Sequence, residues 1–86
     1  MKLFGKIIKD TRIIKQAVVE KDDKNTSFRD LLEECLILLC KDMDIQVPLW
    51  LKNNTTEFVR FHRTFFTKDH FVENIKFDKF EIRIEQ

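Results

Sequence analysis

Eighty-six residues make one domain, 1–86, and a chain of this size buries roughly 60–65% of its unfolded surface. With 43% apolar and 36% charged residues, one Gly and one Pro, the main body is not a linker, a low-complexity tract or a disordered tail. A net charge of +1 leaves no whole-molecule field to draw the chain to nucleic acid or an anionic membrane.

The N-terminal run from Met1 to Lys9 holds apolar pairs broken by Lys6 and Lys9, unlike the continuous apolar stretch of a secretion signal. No segment approaches the ~20 apolar residues of a membrane span. Leu3-Phe4, Ile7-Ile8, Ile13-Ile14 and Ala17-Val18-Val19 are rich in residues that suit pleated strands. Gly5 would weaken a helix there by about 1 kcal/mol. Lys9-Asp10-Thr11-Arg12 has turn chemistry at its centre. Together these predict a β-hairpin over 2–9 and 12–20.

A polar connection, Lys21 to Thr26, leads to the strongest helix signal. Ser27 is the expected cap, with Asp30 three residues on. Asp30, Glu33 and Glu34 place negative charge in the early turns, where the helix dipole favours it. Phe28, Leu32, Cys35, Leu36, Leu39 and Met43 form one stripe, widened by Leu31 and Leu38 on one side and by Ile37 and Cys40 on the other. So broad a stripe predicts burial of two faces, one against the hairpin and one against the C-terminal half. Pro48 bars a helix at Val47 and makes 47–51 an extended or turning segment that folds back.

Asn54 with Glu57 three residues later predicts the start of a second, aromatic-rich helix over 54–65. Its Phe58, Phe61 and Phe65 recur at helical spacing, although the Thr and Phe content also suits a strand. Thr67-Lys68-Asp69 can cap one further short turn ending near Val72. Residues 79–85 alternate Phe80, Ile82 and Ile84 with Lys79, Glu81, Arg83 and Glu85, the pattern of a half-buried strand. Phe77 breaks this parity and places a turn or bulge near Asp78. The fold class is α+β: a β-hairpin, a long amphipathic helix, a short aromatic-rich helix and a C-terminal strand, with a small three-stranded antiparallel sheet packed on helices.

Candidate chemistry is sparse. Cys35 and Cys40 are the only cysteines and lie about 140° apart around a helix, so they cannot pair within it. They read as reduced thiols in a cytoplasmic protein. With His62 and His70 they are the only soft metal ligands, and they lack the tight Cys-x₂₋₄-Cys knuckle of structural zinc sites. Mid-helix cysteines among leucines have raised rather than lowered pKa values, which is wrong for a nucleophile. No phosphate-cradling Gly-rich loop is available to a chain whose single glycine is Gly5. No catalytic, cofactor or metal residue is assigned.

Seven of the nine phenylalanines fall between Phe58 and Phe80, interleaved with Arg60, His62, Arg63, Lys68, Lys76 and Lys79. The first reading of this segment is core. The alternative is single-stranded nucleic-acid binding, with rings stacking bases and cations holding phosphates. The stretch Pro48-Leu49-Trp50-Leu51-Lys52-Asn53, then Glu57-Phe58, Phe61, Arg63-Thr64, Phe66, Asp69, Phe71 and Phe77 to Ile82, resembles a set of short uncharacterised proteins of anaerobic, clostridia-like Gram-positive bacteria. That resemblance implies a small cytoplasmic bacterial protein and supplies no catalytic residues. The expected function is therefore a non-catalytic protein-interaction or structural module, and its expected partner is a second copy, since an open sheet has unpaired edges. Trp50, Arg60 and Arg63 are the expected partner-binding residues, because Trp and Arg dominate interface energetics.

Overall fold

A computed structural model describes residues 1–85. Strands β1 (Lys2–Lys9) and β2 (Arg12–Glu20) form the hairpin at the expected boundaries. Asp10 and Thr11 make its two-residue turn with φ of 52° and 65°, the left-handed pair that matches the twist of the flanking strands. Helix α1 (Phe28–Met43) starts at Ser27, whose Oγ accepts a hydrogen bond from the Asp30 N–H at 3.2 Å. It ends at Asp44 in left-handed geometry, four residues before Pro48.

The next segment corrects the expectation. Helix α2 runs Lys52–Phe61, and strand β3 occupies Arg63–Phe66. The stretch 54–65 is thus neither all helix nor all strand. His62, at φ 58°, is the switch between them. Asn54 is not the cap either: it is the third residue of the helix, within its first turn, and its Oδ1 accepts a hydrogen bond from the Leu51 N–H at 2.8 Å. A single 3₁₀ turn at Lys68–His70 follows, and β4 (Lys79–Glu85) stands at its expected position. The expected turn near Asp78 is present: the Asp78 N–H bonds the Ile8 carbonyl at 2.9 Å, and its carboxylate accepts from the Asp10 N–H at 2.8 Å.

The fold is α+β, with a four-stranded antiparallel sheet, not a three-stranded one, in the order β2-β1-β4-β3. The register pairs Phe4 with Val18 and Arg83, and Thr64 with Ile82. A bulge at the hairpin end sets Ile7 opposite Lys15 and Ile8 opposite Ile13, leaving Ile14 as the extra residue. Both helices cover one face, α1 over β2 and β1, α2 over β3. Leu3, Ile7, Val19, Phe66, Phe80, Ile82 and Ile84 meet Leu31, Cys35, Leu36, Leu39, Cys40, Met43 and Phe58 in one core. Among the described residues no helix covers the other face of the sheet.

Gly5 sits beneath Leu39 of α1 and beside Phe80 of β4. A Cβ there would lie 2.7 Å from Leu39 Cδ2 and 3.0 Å from Phe80 Cε1, both on fully buried side chains. Gly5→Ala is therefore expected to cost about 1–3 kcal/mol by overpacking, read as a lowered urea midpoint at unchanged slope. A stability equal to wild type would show that Leu39 yields freely.

Candidate functional site

Among the described residues two uncovered surfaces carry exposed apolar or aromatic side chains together with cations or a tryptophan. The first is a groove of about 770 Å³ between α1 and the segment 47–59, walled by Phe28, Leu32 and Ile37 on one side and by Val47, Leu49 and Val59 on the other. It exists because α1 buries one face only. The second apolar side expected to pack on the C-terminal half instead borders open space, with Phe28 52% and Ile37 46% exposed. Trp50 lies in this groove. Its ring stands edge-on to Phe58 at 5.6 Å and tilted on Phe66 at 5.8 Å, and its Nε1 donates to Thr55 Oγ1 at 2.8 Å. The backbone beneath is pinned by the Leu49 N–H to the His70 carbonyl at 2.7 Å.

The second surface is the open face of the sheet. Strand register aligns Phe4, Val18, Arg83 and Arg63 across it, and Lys6 with Gln16, Glu81 and Phe65 in the next row. Arg83 lies over the Phe4 ring at 4.4 Å, Lys2 over the same ring at 5.6 Å, and Lys79 over Phe65 at 4.7 Å. Lys6 Nζ approaches the buried Glu81 carboxylate at 3.9 Å.

The three expected contact residues are not brought together. Trp50 lines the groove; neither arginine does. Arg60 is exposed on α2 and packs over Phe61 at 5.6 Å, while Arg63 stands across from Arg83 on the open sheet face. Of the seven phenylalanines from 58 to 80, Phe58, Phe66, Phe71 and Phe80 are buried, Phe65 and Phe77 half-buried, and Phe61 exposed. Sequence reasoning passed over Ile13, Ile14 and Val18 as surface residues. The available signal was the apolar doublets: in a strand, the two members of Ile13-Ile14 or Val18-Val19 point to opposite faces unless a bulge intervenes.

Both thiols are buried and free, and burial raises both pKa values, that of Cys40 to about 12. Neither is a thiolate near neutral pH. Native protein is expected to resist an aromatic disulfide reagent, with both thiols reacting once it is unfolded in urea. Labelling of the native state at the rate of a free thiol would contradict that burial. His70 is buried, with Nδ1 accepting the Thr67 N–H at 3.0 Å and Nε2 without a hydrogen-bond partner. Among the described residues no group of three or more His, Cys, Asp or Glu side chains is placed to hold a metal ion, and no helix is long and apolar enough to cross a membrane. Compared with models of known protein families, with curated proteins and with solved structures, the chain finds no match in any of the three.

Proposed function

We propose that this protein is a non-catalytic protein-interaction module that works as a cytoplasmic homodimer. The observation that carries this is surface. The chain exposes 6199 Å², where a folded 10.5 kDa monomer exposes about 5,400 Å². The excess, roughly 800 Å², equals one partner's share of a standard protein–protein interface. Part of it is large apolar side chains in water, on the sheet side (Ile13, Ile14, Val18) and around the groove (Phe28, Ile37, Val47, Leu49, Val59). Two buried reduced thiols, and the resemblance to short bacterial proteins, support the cytoplasm. Sedimentation equilibrium on the full chain is expected to give twice the 10.5 kDa chain mass at high micromolar concentration. A strict monomer there removes the reading.

Single-stranded nucleic-acid binding is the second reading. Its support comes from the open sheet face, where Phe4 and Phe65 lie under Arg83, Lys2 and Lys79, rather than from the segment 58–80 as a unit. Half-exposed rings capped by cations can stack bases beside phosphates. An oligonucleotide titration at low salt tests it, and no binding there removes it.

A further inference from the structure

We propose that the second copy joins along β2, antiparallel, with the two-fold axis passing between the two Gln16 residues, so that two four-stranded sheets become one sheet of eight. This rests on the homodimer reading and names its surface.

β2 is an edge strand of nine residues, and its outer side presents unpaired backbone donors and acceptors. Natural sheets blunt such edges with charge, proline, bulges or shortness. β2 has no proline or glycine, and Ile13, Ile14 and Val18 are 52%, 54% and 47% exposed. The one lysine inside the strand does not guard it: Lys15 Nζ is drawn back to the Met43 carbonyl at the end of α1, at 2.9 Å. The bulge falls at Ile14, toward the hairpin turn, and leaves the register from Lys15 to Glu20 regular. The opposite edge, β3, has four residues and carries Arg63.

The side chains select the register. An antiparallel pair with two-fold symmetry sets one residue opposite its own copy. With Gln16 at the axis, two amides meet, Ile14 stands opposite the partner's Val18, and Lys15 faces the partner's Ala17. Arg12 at one strand end comes beside the partner's Glu20 at the other. Shifting the axis to Lys15 sets two lysines against each other. Shifting it to Ala17 sets Ile14 against the partner's Glu20 and Val18 against its Gln16. Only the first choice joins apolar to apolar and opposite charges at the ends.

Ile14→Lys and Val18→Glu test this, since both positions are exposed in the single chain, and far-ultraviolet circular dichroism of each variant is expected to match wild type. Each alone is expected to weaken self-association at least about tenfold, by sedimentation velocity, because each disrupts the same pair twice in a symmetric dimer. An equimolar mixture of the two variants is expected to recover dimer. In the mixed pair the introduced lysine of one chain meets the introduced glutamate of the other, and the remaining Ile14 meets the remaining Val18. Singles that weaken association without recovery in the mixture overturn the register. A wild-type dimer indifferent to both but dissociated by Val59→Lys places the interface in the groove: the β2 proposal fails and the homodimer reading stands. A wild-type monomer removes both.

Discussion

Asn54→Ala is expected to lower the unfolding free energy by about 3 kcal/mol, which is large for a single polar side chain. Asn54 is fully buried. Its Oδ1 accepts from the Leu51 N–H at 2.8 Å, and its Nδ2 donates to Thr64 Oγ1 at 2.8 Å and to the Phe65 carbonyl at 3.0 Å. Thr64 Oγ1 in turn donates to Glu57 Oε1 at 2.6 Å. One amide therefore ties the loop after Trp50, the first turn of α2 and the edge strand β3. Alanine would strand the partly buried Leu51 N–H and Phe65 C=O and take the donor from the buried Thr64 hydroxyl, and this lost pairing is the larger part of the cost. Asn54→Asp separates this account from a plain helix cap. As a cap, aspartate would serve about as well as asparagine. Here it loses both donors and turns a carboxylate toward the Phe65 carbonyl, so it is expected to be at least as damaging as alanine. Urea unfolding of the two variants decides the matter, and a neutral Asn54→Asp would contradict the buried knot.

Phe66→Ala is expected to cost about 3–5 kcal/mol, a substantial share of the roughly 4–13 kcal/mol that a chain of this length holds. Phe66 is fully buried at the centre of an aromatic cluster. Its centroid lies 5.8 Å from Trp50, 5.4 Å from His70 and 5.8 Å from Phe80. Truncation leaves a cavity beneath β3, a four-residue strand held by one neighbouring strand and by α2. Phe66→Leu refills part of that volume and is expected to recover part of the loss. Trp50 reports the change directly, since its ring loses one of its two aromatic walls and its emission should shift to the red. An unshifted spectrum with full stability would mean that the cluster does not hold the groove floor.

The parts of the fold legible in sequence are those where one physical signal acts alone. Alternation of Phe80, Ile82 and Ile84 placed β4, and Ser27 with the acidic first turns placed α1. Strand β3 was hidden because four residues are too few to show a period of two. Phe65 also continues the helical spacing of Phe58 and Phe61, and His62 makes the left-handed switch without a glycine to announce it. Asn54 misled because the side chain that reads as a cap turns back from inside the first turn. Periodicity in α1 told which residues are apolar but not which are covered, so the groove beside it had no signal in the sequence. For the same reason the expected contact residues scattered. Trp50 and Arg63 are 13 positions apart in sequence and on different surfaces of the molecule.

The most direct test of the self-pairing edge is a cysteine at its centre. Residues directly opposite in an antiparallel pair have Cα atoms about 4.5–5.5 Å apart, within disulfide range. With Gln16 at the two-fold axis, Gln16→Cys should yield a covalent dimer on mild oxidation. Val18→Cys should not, because its own copy lies four residues along the strand, about 13 Å away. Cys35 and Cys40 are buried and give no background in the folded protein. Covalent dimer from Gln16→Cys and none from Val18→Cys is the result expected. No crosslink at position 16, or equal crosslinking at both positions, would contradict the account.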